Sequence, residues 1–183
     1  MSQPEPVDLY RRAATDAVGV AAGVRPDQLD RPTPCADWTV QDLLDHLVGG
    51  TRYLGAALAG TEPTAPTATT PEDLRAGVDV CLQGLADPAA LSRTCMSPLG
   101  FEWTVLDATA GTFMDLLIHT WDLAAATDQS LDLDPELVAA CTAMFLPDMP
   151  ERGRAAGIVG PAVTVPDDAS TQDRLLAAMG RTP

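Results

Sequence analysis

Four long stretches of this chain carry apolar residues at the spacing of an α-helix, leaving only short pieces for strands. The first runs over residues 7–22, with Val7, Tyr10, Ala14, Ala17, Val18 and Ala21 on one face and Gly23 as its stop. The second is expected over about 40–59, where Thr39 reads as an N-cap and Asp42, three residues on, as its capping-box partner. A third is expected over about 72–86, and a long one over about 105–126. Asp134 followed by Pro135 reads as an N-cap with proline at the first helical position, which starts a further helix ending before Pro147. The tail reads as a short extended piece, 162–165, and a last helix over about 171–179, stopped by Gly180. A hairpin fits near 93–103, where Pro98 and Gly100 punctuate the sequence. Amphipathic helices with short connections must bury their apolar faces on one another, so the expected fold is all-α, a helix bundle with a short C-terminal extension of small strand plus helix. No domain boundary is legible, and 1–183 is read as a single domain. The Thr/Pro/Ala-rich stretch 60–71 is the one linker-like segment, expected to be exposed and mobile.

Composition narrows the partners. The formal charge is −15. Such a surface repels phosphate backbones and anionic lipid, so neither nucleic acid nor a membrane surface is an expected partner. All 11 basic residues are Arg, which with the abundant Ala points to coding bias. No stretch reaches the roughly 20 apolar residues of a membrane span, and residues 1–8 are polar without the basic start and apolar run of a leader. Cys35, Cys81, Cys95 and Cys141 form no CxxC pair, which leaves a zinc ribbon or dithiol motif unsupported. The expectation is a cytoplasmic protein with reduced thiols.

The 2 histidines carry most of the chemistry. His46 follows Asp42 by four residues and His119 follows Asp115 by four, each inside an expected long helix. Residues i and i+4 share a helix face, with Cβ atoms about 5–6 Å apart, close enough for a carboxylate and an imidazole to converge on one ion. The ordinary reading of a lone histidine in such a helix is a surface or satisfied core residue. Two features favour a ligand. Around Asp115 the helix is apolar nearly all round (Phe113, Met114, Leu116, Leu117, Ile118, Trp121, Leu123), so Asp115 is expected to be buried or nearly so, which costs free energy without a partner. Next to His46, Gly49 and Gly50 remove two side chains from the following turn, which leaves room at the imidazole or permits close helix packing.

The stretch Pro32-Thr33-Pro34-Cys35-Ala36-Asp37-Trp38-Thr39-Val40, leading into Asp42-Leu43-Leu44-Asp45-His46-Leu47-Val48-Gly49-Gly50, resembles the actinobacterial branch of the DinB-like superfamily. That branch is related to the N-terminal metal-binding domain of mycothiol-dependent maleylpyruvate isomerase. Asp115-Leu116-Leu117-Ile118-His119-Thr120-Trp121-Asp122 resembles its second metal motif, and 163–168 with 172–181 resemble its terminal signature. The resemblance implies a DinB-like four-helix bundle with one divalent metal on His46, Asp115 and His119. Zn²⁺ is the expected ion, and Fe²⁺, Ni²⁺ or Mn²⁺ also suit two histidines and a carboxylate. It further implies a metal-dependent thiol transferase or isomerase, with a low-molecular-weight thiol of the mycothiol type as co-substrate and a small electrophile as substrate. A non-catalytic metal- or ligand-binding protein and a hydrolase using metal-activated water stand as alternatives.

Other residues have two readings each. Cys35 approaches the ion or simply packs in its loop. Asp42 enlarges the site or caps its helix, and the cap position favours the latter. Asp122 supports His119, ligates in its own right, or pairs elsewhere. Trp38 and Trp121 line a pocket or anchor the core. Arg52 and Tyr53 bind an anionic substrate or face solvent, and Glu102 joins Asp42 and Asp122 as a conceivable general base.

Overall fold

The sequence Thr-x-x-Asp begins three of the longest helices. In each, the threonine hydroxyl accepts the N–H of the aspartate three residues on, and that carboxylate accepts the threonine N–H. Thr39/Asp42, Thr70/Asp73 and Thr104/Asp107 thus satisfy donors that a helix start leaves open. A computed structural model of the chain describes residues 5–66 and 68–183. The polar start read from 1–8 therefore falls in part, over 1–4, outside the described residues, as does Thr67 of the 60–71 stretch.

The described residues cluster into two compact units. The first, extending to Leu131, holds α1 (Pro6–Ala22), α2 (Val40–Ala59), α3 (Pro71–Gly84), the short α4 (Pro88–Leu91), the hairpin β1 (Thr94–Met96) and β2 (Glu102–Thr104), and α5 (Val105–Ala126). Helix α1 packs on α5, α5 on α2, α2 on α3, and α3 on α1, which closes a four-helix ring. Leu9, Tyr10, Leu43, Leu44, Leu47, Leu54, Phe113, Leu116, Leu117 and Leu123 fill its core, all at most 1% exposed. The face of α1 is small (Ala13, Ala14, Ala17, Ala21), and with few aromatics available the core is made by close approach. Gly77 shows how close: a Cβ there would stand 2.1 Å from the Thr51 hydroxyl of α2.

The four bundle helices fall within two residues of their expected bounds, and the expected hairpin forms, with Cys95 opposite Trp103. The 60–71 stretch differs from its composition. Thr69 is buried, and its N–H and hydroxyl both donate to Asp45 on α2, at 2.8 and 2.7 Å. Gln41 and the Ala68 N–H donate to the same carboxylate, and Arg52 donates to the Ala65 carbonyl. The loop end is therefore laced to α2 beside His46. Burial pushes the Asp45 carboxyl up, but these four donors outweigh it and hold it below the usual carboxylate range. Asp45→Ala should cost roughly 1–3 kcal/mol, the penalty for the orphaned Thr69 donors. That corresponds to a drop of about 2–12 °C in Tm, with Asp45→Asn between it and wild type. Thermal melts check this, and an unchanged Tm in Asp45→Ala would show that the loop is not held this way.

The second unit, from Asp132 to Pro183, holds α6 (Pro135–Phe145), α7 (Met149–Ala155) and α8 (Thr171–Ala178). Asp134 caps α6 by accepting the Glu136 N–H. Helix α6 packs on α8, the Leu133 N–H donates to Gln172, and the Val163 N–H donates to the Ala177 carbonyl. Helices α4 and α7 were not expected. Each has proline in its first turn, where the missing N–H is not needed and the fixed φ suits a helix. Among the described residues no helix is long and apolar enough to cross a membrane.

Candidate metal centre

Because α2 and α5 are neighbours in the ring, residues far apart in sequence meet across their seam. His46 projects from α2 so that its Nε2 lies 3.1 Å from both oxygens of Asp115 on α5. One turn further along α5, His119 Nε2 lies 3.5 Å from Asp115 Oδ1. The two imidazoles are 4.6 Å apart, centre to centre, and inclined at 71°. The three residues expected as ligands are thus brought together, with one donor atom from each lying within 4.8 Å of the others. Asp115 is not buried as expected: its side chain is 32% exposed, although its helix neighbours are buried. Opposite it stands Gly50, where even a Cβ would lie 3.8 Å from Asp115 Oδ2, so α2 has no side chain there to cover the carboxylate. Gly49 has a different role, admitting Pro66 of the loop against α2.

Behind His119 the surroundings change. Asp122, fully buried, places Oδ2 2.9 Å from His119 Nδ1. Where Nδ1 donates to this carboxylate, Nε2 is left as the ring nitrogen with a lone pair on the side of Asp115 and His46. The Cys35 thiol donates to the same Asp122 oxygen at 3.2 Å, with its sulfur 3.7 Å from Nδ1. Cys35 therefore lies on the opposite side of the imidazole from Asp115. Its loop is tightly built. The Thr33 N–H donates to the Trp38 carbonyl, the Trp38 N–H to the Cys35 carbonyl, and the Cys35 N–H to the Thr33 hydroxyl. Asp37 turns the chain at φ 64°, and Pro32 bridges Thr39. The loop also delivers Trp38, whose ring stacks on His119 at 24° and 5.8 Å and lies 4.9 Å from His46.

The remaining candidates lie elsewhere. Asp42 is the capping carboxylate of α2, bonded to the Thr39 N–H and hydroxyl, and those bonds hold it below the usual range. Trp121 is a core residue, 4% exposed. Tyr53 accepts from Trp103 Nε1 and donates to the Met96 carbonyl, tying the hairpin to α2. Glu102 is exposed on β2, and Arg52 is engaged with the loop. Among the described residues two ligand groups are close enough to hold an ion, His46/Asp115/His119 and Cys35/His119/Asp122, and neither includes Asp42 or Glu102. Trp38 against both imidazoles was legible only as an aromatic near the metal motif. Cys35 and Asp122 were each legible as residues near His119, but their meeting at one carboxylate oxygen beside Nδ1 was not.

Compared with known proteins, residues 10–124 match the family model described as the mycothiol maleylpyruvate isomerase N-terminal domain. That span contains both ligand groups. The chain is also 37% identical to two proteins of Mycobacterium tuberculosis, the uncharacterized protein Rv0738 of strain H37Rv and the uncharacterized protein MT0763 of strain CDC 1551. The alignment covers 97% of this chain and 98% of each relative. No solved structure gives a significant match.

Proposed function

The chain belongs to the mycothiol maleylpyruvate isomerase N-terminal domain family, and from that premise we propose that it holds one divalent metal on His46, Asp115 and His119 and acts there on a small electrophile with a low-molecular-weight thiol of the mycothiol class. The observation that carries the reading is the donor set. Two imidazole Nε2 atoms and a carboxylate converge at the α2–α5 seam, and a buried carboxylate lies 2.9 Å from the other ring nitrogen of His119. Two histidines and a carboxylate are a zinc set that leaves a further position for a small molecule, so the residues fit the ion. When bound, the ion supplies a positive charge that favours the anionic form of a thiol or water placed beside it.

The chain's own residues do the rest. Asp122 accepts a hydrogen bond from Nδ1 and holds His119 in one orientation. Trp38 covers one face of His119 and one side of His46, excluding water from that flank. Asp115 and His46 are each about a third exposed, so the site is reached from solvent past the bare Gly50 turn. The family supports a soluble thiol partner, and the charge of −15 favours a neutral or cationic electrophile over a polyanion.

The test is a thermal-shift series with mycothiol or another small sugar-linked thiol, run on zinc-loaded and chelator-treated protein. The thiol should raise the Tm of the loaded protein and leave the metal-free protein unmoved. At a thiol concentration of 100 times its Kd the stabilisation is about 2.7 kcal/mol, or about 5–11 °C. Equal shifts with and without metal would refute a thiol anchored at this centre. No shift with any small thiol would overturn the thiol reading.

A further inference from the structure

The second ligand group lies outside this reading. Cys35 Sγ, Asp122 Oδ2 and His119 Nδ1 stand at 3.2, 3.7 and 2.9 Å from one another in pairs, and no step above needs the thiol. The three atoms differ in kind from those on the other side of the ring: one is sulfur, and Asp122 is fully buried while Cys35 is half-buried. The turn that presents Cys35 is fixed by its own hydrogen bonds, so the sulfur is held over the imidazole edge without the freedom of a surface side chain. We propose that Cys35, Asp122 and Nδ1 of His119 form a second site, for a thiophilic divalent cation such as Cd²⁺ or Zn²⁺, distinct from the site on Nε2.

The chemistry balances without a redox step. A thiolate and a carboxylate neutralise the cation, and sulfur selects soft ions over Mg²⁺ or Ca²⁺. Binding requires the Cys35 proton to leave to solvent. The ion would also take the Nδ1 lone pair of His119, the ring that gives Nε2 to the site of the proposed function, so the two sites share one residue. That sharing rests on the function proposed above, whereas the existence of a sulfur site does not.

Cobalt(II) titration of metal-free protein separates the two. Only a sulfur ligand gives a thiolate-to-cobalt charge-transfer band. In wild type the band should be absent through the first equivalent and grow with the second. Cys35→Ser and Cys35→Ala should both lose it at least tenfold, and Cys95→Ser should keep it. In His46→Ala, where the competing site lacks a ligand, the band should grow from the first addition. No band in either wild type or His46→Ala would overturn the proposal, as would a band that survives both Cys35 substitutions. A band that saturates at one equivalent in wild type and vanishes in His46→Ala would put Cys35 on the same ion as His46, which also overturns it. A band at one equivalent that is unchanged in His46→Ala and absent without Cys35 would uphold the sulfur site and refute the ligand set of the proposed function.

Discussion

His46→Ala and His119→Ala should each abolish the tightly bound metal, taking it from about one ion per chain to a residue removed by desalting. Elemental analysis of the purified variants reads this directly. His119 is the more damaging loss. Its removal takes a ligand and also leaves the fully buried Asp122 without its imidazole donor, a penalty of about 1–3 kcal/mol or more for a charged group. His119→Ala should therefore be less stable than wild type even as metal-free protein. His46, with a side chain 35% exposed, should lose metal with a smaller effect on the metal-free fold. Asp122→Asn keeps an acceptor oxygen near Nδ1 and removes the charge, so it should weaken affinity by about 10–100-fold without abolishing binding. Asp42→Asn should leave metal content unchanged, since Asp42 serves the helix cap. Unaltered metal in both histidine variants would sink the assignment, and metal lost in Asp42→Asn but not in Asp115→Asn would move it to the other carboxylate.

Acid should unfold the protein in two stages, and only the metal-loaded form should show the first. Ligation needs neutral imidazoles, free imidazole has a pKa of about 6.5, and protons compete with the ion. Metal and its share of stability should therefore be lost as the pH falls below about 5, and return on raising the pH with added zinc. The second stage belongs to the capping and loop carboxylates. Asp42, Asp45 and Asp73 are held below their ordinary value by their hydrogen bonds. Their contribution is thus present above about pH 3.9 and disappears as the pH falls through their lowered values, because the unfolded chain takes up protons first. Melts of loaded and chelator-treated protein across pH 3–8, chosen to span about these two reference values, should differ above pH 5 and converge below it. Curves that run parallel throughout would show that no acid-labile metal supports the fold.

The helices were legible because they carry signals at both ends and a stripe between them. Thr39 with Asp42 placed the start of α2, and the same pairing at Thr70 and Thr104 starts α3 and α5. The misses have physical reasons too. Pro88 and Pro150 stand in the first turns of α4 and α7, which had no apolar stripe to announce them, and in a first helical turn proline is permissive. Thr69 belongs to a stretch whose composition says solvent, and it is buried because an acceptor 24 residues earlier, Asp45, captures it. At the site, identical spacing meant different things. Asp115 and His119 bring donor atoms within 4.8 Å of each other and of His46, whereas Asp42, also four residues before a histidine, is spent on the cap. Spacing gives the shared face, and only the helix position tells which group the carboxylate serves. Asp122, three residues after His119, had several equally sound partners until the loop carrying Cys35 and Trp38 was in place.

The seam between α2 and α5 also bears on the order of folding events. Asp115 and His119 lie on one helix and meet as soon as it forms, but His46 lies 69 residues before Asp115, with α3, α4 and the hairpin between them. Closing that contact requires long-range docking, which is late and slow relative to helix formation. A cation gripped across the seam stabilises an arrangement that is absent while the chain is still assembling. Its effect should fall on the rate of opening and leave the rate of folding nearly unchanged. Loading should then lengthen the lifetime of the native state, because the seam has to open before the rest of the bundle can come apart.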